Sequence, residues 1–528
     1  MQIQHRSIAD FSFFAATDRA YAAGDARLQP FFQGQYNKAD FAQAIADCQA
    51  RYGAAQRQAL VQTLRQQYQG AEPAVLAQLD QLEQAHCFTV TTAHQPCLFG
   101  GPLYFLTKLV DTVVLARQLK AWFPDAHFVP LFWLGGEDHD FAEVNHLSLF
   151  QKTITWTDEQ GGSVGAYRTD SLQGPLDELA AVLGQSEAAQ AVMQIFRTCY
   201  APGQSFNEAT AKLLYHFLAK EGILVLDPNV PLLKAQMRDI FAEELLEQRS
   251  QKLVHEQIER LEALGFKAQA RPRSINLFYL SPNKRERIVA TAQGFETVDG
   301  LRHWTKAEIL AELQAEPQHF SPNVVLRPVM QEWVLPNLAY VGGGGELAYW
   351  LERRSLFEHY GLRLPILLRR SSYLLLPPTI QQRLNKLGLS WETILHEGYA
   401  QACERWLRQQ PEQLPDLQDE AQQVKALFQA LAQKISKIEP SLEKTVLAQQ
   451  TQLLHTFEKW EERLVRELKR QHDTALGQLQ QVYEKIFPGG GLQERKENFL
   501  SFYLQNPNTF WTSLFEGAKP GHLAICYL

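Results

Sequence analysis

Two polar clusters stand directly behind apolar runs in this sequence. His94-Gln95-Pro96 ends the run Cys87-Phe88-Thr89-Val90-Thr91-Thr92-Ala93, and Glu137-Asp138-His139-Asp140, with Asn145-His146 close by, follows the run 128–134. An imidazole at the mouth of a helix can meet phosphate or a developing negative charge. Carboxylates and imidazoles packed within ten residues can orient an amine, act as an acid/base pair or bind a divalent cation. His139 and His146 lie seven apart, which is not the spacing that sets two imidazoles on one helical face, so no metal is expected. A third cluster runs from Ser321-Pro322-Asn323 through Arg327 to Gly342-Gly343-Gly344-Gly345-Glu346 and Tyr349. A glycine run between a strand and a helix lets backbone amides approach a ligand closely. Arg327 and Arg369 are candidate anchors for carboxylate or phosphate, because guanidinium engages two oxygens at once.

The elements that must position these residues follow from hydrophobic patterning. Short apolar runs at 87–93, 128–134, 222–227, 337–341 and 364–369, separated by helical stretches such as 103–120, predict an α/β fold. Its core is a Rossmann-like, doubly wound parallel sheet, which places ligands outside the carboxyl ends of its strands. Residues 1–85 read as helices, and two insertions near 155–200 and 266–320 interrupt the core; Gly161-Gly162 and Gly174-Pro175 read as turns in the first. The expected organisation is a core over 1–376, a helical coiled-coil domain over 377–487 and an aromatic tail over 488–528 that packs back on the core. From 419 to 487 apolar residues recur at heptad spacing (Val424, Leu431, Ile438; Phe428, Ile435, Leu442; later Phe457, Leu464, Leu468, Ala475, Val482). Pro440 marks a bend between two helices. An antiparallel hairpin, a dimer seam or both would satisfy that stripe.

Bulk properties narrow the class. The chain has 528 residues, 45% apolar and 21% charged, with a net charge of -7. That excludes global disorder and disfavours a general nucleic-acid binder, which needs a basic surface. No apolar run approaches the roughly 20 residues that span a bilayer, and the first residues lack the apolar core of a signal peptide. Six scattered cysteines without a CxxC pair suggest neither a disulfide framework nor a cysteine zinc site. A cytoplasmic protein is expected.

Gly343, Gly345 and Ala348 fit G-x-G-x-x-A, which supports an NADP-dependent oxidoreductase as an alternative; that fingerprint ordinarily opens the first βα unit instead. A coiled-coil scaffold with a degenerate nucleotide-binding core is a second alternative. The ordered set His94-Gln95-Pro96-Cys97-Leu98-Phe99-Gly100-Gly101-Pro102, Gly136-Glu137-Asp138-His139-Asp140, Ser321-Pro322-Asn323 with Arg327-Pro328, and Gly345-Glu346-Leu347-Ala348-Tyr349-Trp350 resembles the BshC family. These are the cysteine-adding enzymes of bacillithiol biosynthesis. The resemblance covers nearly the whole chain and implies a Rossmann-like core, two connecting insertions and a coiled coil that forms a homodimer. It implies a ligase that joins the carboxyl group of cysteine to the amine of glucosaminyl-malate. A carboxylate is a poor electrophile, so activation by ATP is expected. His94 and the glycine run would steady phosphate or acyl oxygens. Asp138, His139 or Asp140 would orient or deprotonate the ammonium. Arg327 or Arg369 would hold a carboxylate, with Gln95, Asn145, His146, Asn323, Glu346 and Tyr349 as further binding residues.

Overall fold

The computed structural model describes residues 2–410 and 417–528; residues 411–416 of the expected helical domain lie outside the described residues. Five apolar runs form one parallel sheet: β1 (Cys87–His94), β2 (His127–Leu134), β3 (Leu224–Leu226), β4 (Asn337–Gly342) and β5 (Ile366–Arg369). Their spatial order is β5-β4-β1-β2-β3. β1 and β2 stay in register from Cys87 opposite His127 to His94 opposite Leu134. All five are buried on both faces, which is why they read as near-continuous apolar runs. The helix α1 (Leu103–Trp122) packs along β1 and β2 and is apolar almost all round for the same reason.

The chain enters this sheet in the middle, moves outward through β2 and β3, and comes back to the other side of β1 for β4 and β5. That reversal opens a crevice at the carboxyl ends of β1 and β4. Three short helices carry further side chains to the same end: α2 (Phe141–Val144), α3 (Arg327–Val334) and α4 (Gly344–Leu351).

The stretch 266–320 contains most of an antiparallel sheet, with strands 303–304, 294–297, 284–291, 277–281 and 320–322 in that spatial order. The stretch 155–200 is chiefly two helices, Gln173–Leu183 and Glu187–Cys199. Gly174-Pro175 is therefore no turn: proline is tolerated in a first helical turn, where its missing N–H is not needed. Gly161 and Gly162 do turn, both at positive φ. A Cβ on Gly161 would stand 2.8 Å from the Asn283 carbonyl oxygen, so the two insertions meet there and the contact requires glycine.

The expectation of helices alone before residue 85 is corrected. Ile3–Ser7 is a strand, paired antiparallel with His522–Tyr527, with Ile3 opposite Cys526. Residues 491–528 belong to the same compact unit as residues up to 375. Phe499, Leu500, Phe510 and Leu514 are fully buried in one cluster with Leu106 and Val110 of α1. All six cysteines are buried and free. Among the described residues no helix is long and apolar enough to cross a membrane.

Residues 376–490 form a second compact unit. Its long elements are α5 (Gln418–Ser436), α6 (Leu442–Gln471) and α7 (Asp473–Ile486). Pro440 falls in the turn between α5 and α6, which pack against each other as an antiparallel hairpin; Gln450 Nε2 donates to the Lys425 carbonyl at 2.7 Å across it. The second heptad stretch is not one helix, since α6 ends before His472. Only part of the stripe is covered: Leu468 and Val482 are buried, whereas Leu431, Leu442 and Leu464 are exposed and Ile438 is 88% exposed.

Candidate active site

A cleft of about 440 Å³ opens at the carboxyl ends of β1, β2 and β4, within the size range of small-molecule sites. His94, Gln95, Asp138, Asn323, Arg327, Gly343, Gly344, Gly345, Glu346 and Tyr349 all line it. Fold topology thus gathers residues that are up to 255 positions apart in the chain.

The floor is an ion pair sunk beneath β1. Lys108 projects from α1 with no solvent exposure and reaches both oxygens of Glu346, at 2.9 and 2.8 Å. Glu346 also accepts from the Tyr340 hydroxyl at 2.6 Å and, closing the first turn of α4, from the Gly343 amide at 2.9 Å. Burial alone would raise its carboxyl; Lys108 and these hydrogen bonds outweigh that and hold it at about 2. The glycine run is consequently less open than its composition suggests. The Gly343 amide is taken by Glu346, and a Cβ on Gly344 would come within 2.2 Å of the Asp18 carboxylate. Only Gly345 faces open space.

His94 is a positioning residue here. Its Nδ1 lies 3.0 Å from the Gln95 carbonyl, so that nitrogen must carry the proton and donate. Nε2, 3.0 Å from the Tyr104 hydroxyl, then accepts. Burial, reinforced by Lys108, pulls the imidazole down to about 4, so the ring is neutral and both nitrogens are engaged. It holds Tyr104 at the cleft wall and has no donor left for a phosphate oxygen.

The acidic corner is built from the ends of β1 and β2. Gln95 Nε2 donates to Asp138 Oδ2 at 2.7 Å; Asp138 Oδ1 accepts from the His139 amide at 2.8 Å and from Arg285 Nη1 at 3.3 Å. Arg285 comes from the antiparallel insertion and lies with its guanidinium 3.9 Å from the Phe278 ring centre. Burial raises the Asp138 carboxyl, but Arg285, the His139 amide and Gln95 more than reverse that and keep it below its ordinary value. A carboxylate so fixed is a poor proton acceptor. Beside it, Glu137 takes buried Lys234 at 2.7 Å. Glu143, on α2, also lines the cleft, and its carboxyl is raised by burial and by Asp140 and Asp138.

Five expected site residues lie elsewhere. Arg369 is buried in an ion pair with Asp18, at 2.7 and 3.1 Å, and supports the packing behind the glycine run. Asn145 donates to the Trp156 carbonyl at 3.0 Å and pins the hairpin that His146 begins; His146 itself is exposed. Asp140 and His139 are exposed and do not line the cleft, His139 resting against Phe278 and Arg285. Tyr104, Lys108, Glu143, Arg285, Arg370 and Arg495 went unread as site residues. Lys108 did leave a signal, as a lysine inside an otherwise apolar helix.

Charge pairing around the cleft is selective. Glu137, Asp138 and Glu346 each have a cation, and Arg370 is held by Glu494 through two 2.9 Å bonds. Arg327 bonds only to neutral groups, Gln331 at 2.9 Å and the Tyr349 hydroxyl at 3.2 Å. Among the described residues Arg327 and Arg495 have no carboxylate partner, and Glu143 has no cation. No group of three or more His, Cys, Asp or Glu among the described residues could hold a metal ion.

A parallel sheet of this order, with a charged cleft at its switch point, defines an α/β enzyme of Rossmann-like layout. Residues 1–371 match the family model described as "Bacillithiol biosynthesis BshC, N-terminal Rossmann-like domain", and residues 373–524 match "Bacillithiol biosynthesis BshC, C-terminal coiled-coil domain". A protein of Flavobacterium johnsoniae is 34% identical over 512 residues, covering 96% of each chain. One from Christiangramia forsetii is 32% identical over 520 residues, 97% of this chain and 96% of its own. One from Flavobacterium psychrophilum is 36% identical over 451 residues, 85% and 84% of the two chains. All three are named "Putative cysteine ligase BshC". The chain belongs to the BshC family of bacillithiol biosynthesis and is a ligase.

Proposed function

We propose that this cleft joins the carboxyl group of cysteine to the amine of glucosaminyl-malate, after a nucleoside triphosphate, ATP, has activated the carboxyl. The pairing pattern carries this reading. Arg327 is half-buried, where a charge is normally matched, and with the exposed Arg495 and Glu143 at the same cleft it describes a ligand that carries anionic groups and an amine. The Gln331 and Tyr349 contacts pre-set the Arg327 guanidinium for a substrate carboxylate. Exposed Arg495 suits a phosphate, as does the open Gly345 turn in the same cleft. The relatives' name, cysteine ligase, supports cysteine as the substrate that is joined.

Activation predicts a label transfer. Cysteine carrying oxygen-18 in its carboxyl group, incubated with enzyme, ATP and glucosaminyl-malate, should pass one label to AMP or to phosphate, read by mass spectrometry. Label in AMP identifies an adenylate, and label in phosphate an acyl phosphate. Product at full rate without nucleotide would refute activation by ATP and point to a preactivated donor.

The exposed stripe of Leu431, Ile438, Leu442 and Leu464 supports dimerisation through the α5–α6 hairpin. Light scattering should report a dimer for the full chain and a monomer for Ile438→Glu/Leu442→Glu. A monomeric full chain, or a dimer that survives both charges, would remove this interface.

A further inference from the structure

We infer that Glu143 is the catalytic proton acceptor for the attacking amine, an assignment that rests on the ligase reading above. Four carboxylates line the cleft: Glu137, Asp138, Glu143 and Glu346. A base must reach the substrate and must gain by taking a proton. Glu137, Asp138 and Glu346 would each lose an ion pair on protonation, with Lys234, Arg285 and Lys108 respectively. Protonating Glu143 breaks none.

Its neighbours favour the same transfer. The Gln95 carboxamide, which donates to Asp138, also acts on Glu143, and its pull toward the carboxylate form is outweighed by burial and the neighbouring acids. A neutral donor lowers a carboxylate's basicity less than a paired cation does. Asp138 and Asp140 on the neighbouring turn repel a second negative charge, and so favour the protonated form. Asp138, which lines the cleft, also attracts the ammonium that arrives. Asp138 thus holds the amine and Glu143 discharges it.

The step balances without another reactant. The ammonium gives one proton to the Glu143 carboxylate, and the freed nitrogen lone pair forms the C–N bond at the activated cysteinyl carbon. The acyl C–O bond breaks with its electron pair leaving on the phosphate oxygen. The second nitrogen proton departs to that phosphate as the amide forms. Glu143 is reset by loss of its proton to water.

Glu143→Gln tests the assignment. It should lower amide formation at pH 7 by about 10²–10⁴-fold, while cysteine-dependent isotope exchange of pyrophosphate or ADP into ATP, which reports activation alone, proceeds at the wild-type rate, since activation does not use this group. The rate of the variant should climb about tenfold per pH unit toward the pKa of the amine, because a free amine needs no base. A merely structural residue would show no such rescue. Unchanged amide formation across the pH range, or a variant that loses the isotope exchange into ATP and amide formation alike, would overturn the role. Wild-type enzyme that forms no amide would overturn the ligase reading itself, an outcome seen without any variant.

Discussion

Glu494→Gln is expected to destabilise the Rossmann-like unit by about 3–5 kcal/mol. Glu494 is 1% exposed, pairs with both Arg370 nitrogens at 2.9 Å and accepts from the Tyr373 amide at 2.9 Å. Glutamine keeps the shape but leaves Arg370 buried and uncompensated, with an NH₂ set among donors. Burial raises the Glu494 carboxyl, yet Arg370 and the Tyr373 amide hold it below its ordinary value of 4.5. A depressed carboxylate contributes its stability in full above that value and loses it as the pH falls below. Urea unfolding should therefore show the gap between wild type and variant closing in acid. Arg370 also lies over the Tyr104 ring at 5.3 Å, so activity should fall with stability. Equal urea midpoints at neutral pH would mean that solvent already screens the pair.

Arg327→Met is expected to do the opposite. Losing a guanidinium that anchors a substrate carboxylate should cost about 2–4 kcal/mol of transition-state binding, roughly 30- to 900-fold in kcat/KM, expressed mainly in the KM for the amine substrate. The folded protein should be no less stable, because a half-buried cation without a carboxylate partner has been removed. Arg327→Lys should recover little, since one ammonium cannot reproduce a planar fork braced by Gln331 and Tyr349. Unchanged kinetics with a lowered melting temperature would make Arg327 a packing residue.

The core sheet was legible because burial on both faces forces uninterrupted apolar runs. The strand Ile3–Ser7 was not: its residues are only half-buried, and its partner lies at the far end of the chain. Most of the cleft was legible as polar residues just beyond strand ends. The errors came where geometry decides between neighbours. Arg369 and Arg370 are adjacent near the end of β5, and adjacent strand residues face opposite ways; Asp18 claims the first and leaves the second to the cleft. Glu143 lies only three residues beyond the conspicuous Asp140, and nothing local says that the later acid is the one to line the cleft. Arg285 stood in a run of charges, Lys284-Arg285-Glu286-Arg287, that reads as a solvated hairpin face.

The pairing of Ile3–Ser7 with His522–Tyr527 has a consequence for synthesis. His522–Tyr527 is the middle strand of its three-stranded sheet, between Ile3–Ser7 and Ser372–Leu376. The Gln4 and Tyr527 side chains that meet across it are 523 positions apart. At roughly 5–20 residues per second, the first strand waits about 25–105 s on the ribosome for its partner. Until then this small sheet has two rims and no centre, and each rim offers free N–H and C=O groups to any passing strand. A chain released before residue 522 never closes that gap. Cells that stall on this message should accumulate sticky fragments, with residues 3–7 and 372–376 as their points of self-association.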